Sequence, residues 1–220
     1  MAEKLRVGIV GFGEMGRNHA RIWANMPDAE LVAIADLDAT RYAAAGEQYP
    51  SCLIVDSIDD MLAYVQMDVV IIATQVPLHC VHTLLALGRG CHVICEKPMA
   101  FTLDECDEMV NAAKAKNLLL AVHHQHVFSK AVVRAEELIA QGFIGRVYAM
   151  RGVGKGRVAC YDLMEVGGHM LHLMRHFAGG EVITIEGEIL KDGRRITKED
   201  MVEIKSLYPE GRACGKGAGD

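Results

Sequence analysis

The chain has no run of about 18 consecutive apolar residues, the length a helix needs to cross a bilayer, so no membrane-spanning helix is expected. It has no block of basic residues either. Against 29 Asp and Glu stand 23 Lys and Arg, a formal net charge of −6, which argues against nucleic acid or an anionic membrane surface as a partner. Among its seven cysteines (Cys52, Cys80, Cys91, Cys95, Cys106, Cys160 and Cys214) no two form a CxxC pair, and most sit in apolar segments. That pattern fits reduced, buried thiols. No secretory leader is read ahead of the apolar run that begins at Leu5, so a cytoplasmic location is expected. No internal repeat is found. What the chain does have is apolar residue in quantity, 51% of 220 residues, enough for a sizeable core in one large domain or in a domain plus part of another.

Its organising stretch is Gly11-Phe12-Gly13-Glu14-Met15-Gly16, directly after the apolar run Leu5–Val10. A short run rich in Val and Ile reads as a buried strand, and Glu14–Met26 has the spacing of a helix. The glycines therefore sit in a strand-to-helix turn. Gly11 permits the turn, Gly13 leaves the backbone open to a pyrophosphate, and Gly16 lets helix and strand pack closely, with the helix N-terminus facing the anion. A glycine-rich turn alone is weak. The discriminating feature is Glu30–Asp36, a second apolar strand closed by an acid that lies 20 residues beyond Gly16. A carboxylate there accepts hydrogen bonds from the adenosine ribose hydroxyls, so the pattern predicts a dinucleotide site.

Further along, strands at Cys52–Val55, Asp68–Ala73, Cys91–Cys95 and Leu118–Val122 alternate with helices at Ala39–Gln48, Ile58–Val65, His79–Leu87 and Leu103–Lys116. The alternation predicts a doubly wound parallel sheet of the Rossmann type over residues 1–123. Beyond it the rhythm changes. Helices are predicted at Ser129–Gln141 and Leu163–Phe177 and strands at Val147–Val153 and Val182–Leu190. Lys191-Asp192-Gly193-Arg194 is read as a hairpin turn. Residues 124–205 are thus expected to form an incomplete α+β domain with an open sheet, and 206–220 a disordered tail. The histidines His123, His124 and His126 raise a metal reading, with His124 and His126 on one face of a strand. No third ligand at diagnostic spacing accompanies them, and no metal is predicted.

The segment Ile71-Ile72-Ala73-Thr74 with His79, followed by Gly90–Pro98 with its Glu96-Lys97-Pro98 after a strand, resembles the glucose–fructose oxidoreductase and inositol dehydrogenase (Gfo/Idh/MocA) family. Glu137–Gly145 and Glu165–Leu173 are similar to it as well, so the resemblance covers residues 5 to about 200. It implies a Rossmann domain followed by an open-sheet domain, a nicotinamide cofactor, and reversible hydride transfer from a secondary alcohol of a cyclic polyol or sugar. It also implies a homo-oligomer built through the second-domain sheet. On the resemblance, Lys97 contacts the substrate hydroxyl, His169 serves as acid/base, and Glu165, one helical turn before His169, orients it. The expected cofactor-binding set is Gly11, Phe12, Gly13, Glu14, Met15, Gly16, Asp36, Thr74, His79, Glu96, Lys97 and Gln125. The chain departs from the family pattern at Glu165 (usually Asp), His172 (commonly Asp) and Gln75 (usually Pro). The alternative reading is a non-catalytic dinucleotide-binding sensor of the same fold.

NAD is expected in preference to NADP. Asp36-Leu37-Asp38 is an acidic, apolar setting that repels a 2′-phosphate, and Arg41 in the next helix is the one base nearby. Asp36→Ser with an arginine added at position 37 is expected to move the preference toward NADP. Because the second sheet is so short, the chain is expected either to be a truncated form of a longer protein or to gain its missing cover from a second copy.

Overall fold

The computed structural model describes residues 4–153, 167–184, 186, 190–191 and 194–195. Within it the chain divides into two compact units, 1–124 and 125–220.

The first unit is a six-stranded, all-parallel sheet in the order β3-β2-β1-β4-β5-β6, with strands Leu5–Val10 (β1), Ala29–Ala35 (β2), Leu53–Val55 (β3), Val69–Ile72 (β4), His92–Cys95 (β5) and Leu120–Val122 (β6). Its helices are Glu14–Trp23 (α1), Ala39–Gln48 (α2), Ile58–Tyr64 (α3), His79–Gly88 (α4) and Leu103–Ala115 (α5). Strand side chains alternate between two apolar layers, as the pleat requires. Val7, Ile9, Ile34 and Ile71 pack with Ala20 of α1 and Ala45 of α2. Val10, Val70, Ile72, Val93 and Cys95 pack on the other face with Met61 of α3, Leu87 of α4 and Met109 of α5. A sheet covered on both sides explains why its strands read as continuous apolar runs.

Local chemistry sets the element ends. Helix α1 stops at Trp23, three residues short of the predicted Met26. The next N–H groups, of Asn25 and Met26, bond three residues back, to Ile22 and Trp23, and Pro27 then keeps Met26 out of the helical region. Asp38 caps α2 by accepting from the Thr40 and Arg41 N–H groups at 2.9 and 3.3 Å. Thr102 and Glu105 form a reciprocal capping box on α5. Asn117, in the left-handed region at φ 53°, follows the last turn of α5. The order reverses between β1 and β4, so the connections leaving their C-terminal ends diverge and open a crevice there.

In the second unit, Lys130–Ala140 (α6) is capped by Ser129, and Gly168–Ala178 (α7) ends on Gly179 in the left-handed region. His176 of α7 and Glu136 of α6 approach to 3.4 Å. Residues 147–153, predicted as a strand, are in no regular element; no strand pairs with them among the described residues, and an alternating pattern becomes a strand only with a partner. Of the predicted strand Val182–Leu190, residues 182–184 are irregular and Leu190 is paired; 185 and 187–189 lie outside the described residues. Leu190–Lys191 (β7) pairs antiparallel with Arg194–Arg195 (β8), Lys191 opposite Arg194. That is the register a two-residue hairpin at Asp192-Gly193 produces, although those two residues lie outside the described set. So do the first residues of the predicted helix at 163–166 and the predicted tail.

Candidate active site

The C-terminal ends of β1, β2, β4 and β5 carry the residues that the sequence singles out. Gly11 leaves β1 at φ +94°, its N–H donating to the Ala35 carbonyl at 2.8 Å. A Cβ on Gly11 would stand 2.6 Å from the Ala73 carbonyl oxygen, so the turn passes against the end of β4. A Cβ on Gly16 would fall 1.8 Å from the Gly11 carbonyl oxygen, which fixes α1 against the turn. At Gly13, by contrast, the nearest atom to an added Cβ is an Arg41 nitrogen at 3.8 Å. Gly13 therefore leaves backbone open to a ligand, and α1 begins there with no side-chain cap on its first N–H groups. Glu14 and Met15 form that first turn. Phe12 points the other way: its ring is fully buried, edge-on to Tyr49 at 6.1 Å, with the Arg17 guanidinium over it. Only its backbone faces the turn.

Asp36 follows β2 and closes the site. One carboxylate oxygen accepts from the Phe12 N–H at 2.6 Å and the other from the Asp38 N–H at 2.8 Å, and the side chain is 7% exposed. The acid and the glycine-rich turn are thus bonded directly to each other. Beside Asp36 lies a cavity of about 450 Å³ bounded by Leu37, Ala39, Tyr42, Val55 and Tyr64. These residues fit a dinucleotide. There is open backbone with unspent N–H donors for a pyrophosphate, a fixed carboxylate for a ribose diol, and beyond it a recess for a base, lined by Leu37, Ile54, Tyr42 and Tyr64 together with Asp56 and Asp60.

At the ends of β4 and β5 the predicted ligand contacts separate into two kinds. Thr74 and Lys97 are half-buried and border the crevice. His79 is 1% exposed. Its Nδ1 lies 3.0 Å from the Pro98 carbonyl oxygen and its Nε2 3.0 Å from that of Thr74, so it joins these two loops from inside. Glu96 is 5% exposed. Its Oε1 lies 2.9 Å from His19 Nε2 and 2.7 Å from His123 Nδ1, and its Oε2 accepts from the Lys97 N–H at 3.3 Å. Burial pushes the Glu96 carboxyl up, but the hydrogen bonds from His123 and His19 outweigh it and hold it at about 2. His19 and His123 are ligand types, yet their contacts to one shared oxygen are hydrogen bonds. Coordination at about 2.0–2.2 Å would hold the ligand atoms further apart.

His19 and His123 are the residues that the sequence reading missed as partners of Glu96. A signal existed for His19, which shares the buried face of α1 with Gly16 and Ala20. A polar side chain there needs a buried partner. In the second unit, Gln125 begins a 3₁₀ turn, Gln125–Phe128, and His126 in that turn meets His169 of α7 edge-on, ring centres 4.3 Å apart. Strand β6 ends at Val122, so the shared strand face considered for His124 and His126 does not exist. His172 follows one turn after His169, its imidazole pushed toward the neutral form by burial and by His176 and Arg175. Glu165 lies outside the described residues.

Comparison with known proteins points the same way. D-glucoside 3-dehydrogenase of Escherichia coli is 32% identical over 190 residues, covering 80% of this chain and 54% of that protein. D-apiose dehydrogenase of Paraburkholderia graminis is 28% identical over 221 residues, covering 95% and 59%. The chain therefore spans somewhat over half the length of these relatives. Among solved structures, myo-inositol 2-dehydrogenase from Lactobacillus plantarum superposes with a TM-score of 0.71 at 26% identity, over 80% of this chain and 57% of that one. The WlbA dehydrogenase from Bordetella pertussis, solved in complex with NADH and UDP-GlcNAcA, superposes with a TM-score of 0.62 at 32% identity, over 66% and 45%. The family model described as an oxidoreductase family with an NAD-binding Rossmann fold matches residues 5–124, the whole parallel sheet with its glycine-rich turn, and the chain belongs to that Gfo/Idh/MocA family.

Proposed function

We propose that this chain carries the NAD site and the catalytic lysine of a dehydrogenase that interconverts a secondary alcohol of a sugar or cyclic polyol with its ketone. The observation that carries the reading is the bond between Asp36 and the Phe12 N–H, which sets a ribose-binding acid at 2.6 Å from the glycine-rich turn. Relatives named as glucoside, apiose and inositol dehydrogenases support the substrate class.

Gly11, Gly13, Glu14, Met15 and Gly16 would hold the pyrophosphate through backbone, and Asp36 the adenosine ribose. A carboxylate pinned by two N–H groups cannot turn away from a 2′-phosphate, which favours NAD over NADP. The nicotinamide, when bound, supplies the hydride acceptor. Thr74, Lys97 and Gln125 are assigned to its crevice. His79 and Glu96 are assigned to the support of that crevice, since their polar atoms are spent on protein partners. Lys97 donates to the substrate hydroxyl oxygen and stabilises its developing negative charge. His169 takes the hydroxyl proton in oxidation and returns it in reduction, a task suited to an imidazole, and Glu165 orients it. We assign the working protein to the cytoplasm as a homo-oligomer that assembles through the second unit, where Phe143, Ile144, Tyr148 and Ile183 are exposed.

The test is calorimetric titration with NAD, followed by a panel of inositols, hexosides and pentoses read at the absorbance of reduced nicotinamide. Binding together with turnover of one panel member is the expected result. Binding without turnover across the panel would favour a dinucleotide sensor, and no binding would remove the reading.

A further inference from the structure

We infer that His123 is a positioning residue for Lys97, acting through the carboxylate of Glu96. The inference rests on the dehydrogenase reading above, which assigns Lys97 to the substrate hydroxyl, and extends it to what holds that lysine in place.

The parallel register brings the pair together. Val122 pairs with Cys95, so His123 and Glu96, each one residue beyond its strand, lie side by side. The His123 N–H donates to the Cys95 carbonyl at 2.8 Å, which carries the ladder past the last strand residue. Ile94 packs in the layer beneath α1, and Glu96, two residues on, turns to the same side, where His19 meets it.

These bonds bracket Lys97. Before it, Glu96 gives its N–H to the Ile72 carbonyl at 2.9 Å, and its Oε2 accepts from the Lys97 N–H at 3.3 Å. After it, the Pro98 carbonyl oxygen stands 3.0 Å from His79 Nδ1. The bond to the Lys97 N–H depends on the rotation of the Glu96 carboxylate, and the two imidazoles on Oε1 set that rotation. His123 is the closer donor, at 2.7 Å against 2.9 Å for His19. Among bonds to a carboxylate the shorter are the stronger. His123 also stands at the rim, its side chain 28% exposed against 6% for His19. Replacing His19 opens a gap under α1, whereas replacing His123 frees the carboxylate with less loss of packing. At His123, then, the hold on Lys97 is separable from the stability of the fold.

The test uses the shapes of the side chains. Asparagine places its amide nitrogen where histidine has Nδ1, and glutamine where histidine has Nε2. The donor to Glu96 is Nδ1 in His123 and Nε2 in His19, so the replacement that keeps the bond differs between them. His123→Ala, His123→Asn and His123→Gln form one series, and His19→Gln and His19→Asn a second in which the order should reverse. One readout is hydrogen exchange of the Lys97 amide in the intact chain, followed by NMR, which needs no substrate. The other is steady-state turnover of the panel member that the unmodified chain oxidises, with NAD affinity measured by calorimetry.

His123→Ala and His123→Gln should speed exchange of the Lys97 amide at least about fivefold, the scale of one hydrogen bond. They should lower kcat roughly 10- to 100-fold, the cost of a misplaced reacting group, and leave NAD affinity within a few-fold. His123→Asn should return both readouts to near the unmodified values; at position 19, Gln should do so and Asn should not. Asn against Gln decides the matter even where Ala does not fold. Equal losses in His123→Asn and His123→Gln would overturn the inference, because ring packing and not the donor would then be what counts. The same order of Asn and Gln at both positions would overturn it too, as would faster exchange with unchanged kcat. An unmodified chain that binds NAD but turns over no panel member would instead remove the dehydrogenase reading, and this inference with it.

Discussion

Glu96 Oε1 and His19 Nε2 meet at 2.9 Å inside the first unit, joining the end of β5 to the helix that follows the glycine-rich turn. His123 reaches the same oxygen from the end of β6, and the other oxygen of Glu96 holds the backbone of Lys97. One buried carboxylate thus ties α1 and the end of β6 to the segment that carries Lys97.

That carboxylate makes stability depend on acid. Its folded value, about 2, lies below the ordinary 4.5, so the stabilisation is complete above about pH 4.5 and is lost as the pH falls toward 2. Asp68, which bonds to Arg6, is depressed in the same direction, but it is a third exposed and its contribution is discounted for solvent. Glu96→Gln should lower unfolding free energy by about 1–3 kcal/mol near neutral pH, the cost of an imperfectly paired buried group. The deficit should shrink steadily below about pH 4.5 in urea melts. A deficit that stays constant down to about pH 2.5 would show that Glu96 does not carry this charge.

Lys97→Ala and His169→Ala should each lower turnover by roughly 10²–10⁴ while NAD affinity stays within a few-fold, because both are assigned to the substrate and not to the dinucleotide. Steady-state rates and calorimetry on the same preparations separate the two effects. Parallel loss of rate and NAD binding would assign these residues to structure.

Gly16→Ala places a methyl 1.8 Å from the Gly11 carbonyl oxygen, a backbone atom that cannot step aside. The turn must open to admit it. Expected are a loss of about 1–3 kcal/mol or more in thermal or urea melts and a large drop in NAD affinity. Gly88→Ala, at the last residue of α4 with nothing near its added Cβ, should leave NAD affinity unchanged. If Gly16→Ala binds NAD normally, the close approach of α1 is wrong.

Burial pushes the Cys95 thiol up to about 12. Iodoacetamide at about pH 8 should leave it unmodified in the native protein and alkylate it only after unfolding, as mass spectrometry of the peptides would show. Rapid native labelling of Cys95 would contradict the packing of β5 between its neighbours.

The parts of this molecule legible in the sequence are those that local chemistry decides. Gly11, Gly13, Gly16 and Asp36 declare a turn and an acid by their own spacing, and the buried strands declare themselves as apolar runs. The partnership of Glu96 with His19 is written at positions 77 residues apart, and no periodicity connects them. His79 and Glu96 carried a family resemblance that placed them at the site. Only their burial showed that their polar atoms face inward. Residues 147–153 alternate as a strand does, but alternation records a willingness to pair, and the partner has to come from elsewhere.

The sheet order has a consequence for synthesis. Strand β1 is made first yet ends in the middle, with Leu5 paired to Ala29 and Val7 to Val69. A growing chain can join β1 to β2 and bring Asp36 to Phe12 early, but the other flank of β1 stays bare until β4 has been translated. The carboxylate clasp cannot close until His123, next to the last residue of the unit, has left the ribosome. Arrest of translation ahead of that codon would yield a sheet whose Asp36 end is formed and whose Glu96 end is still unfastened, the interval in which a chaperone has most to protect.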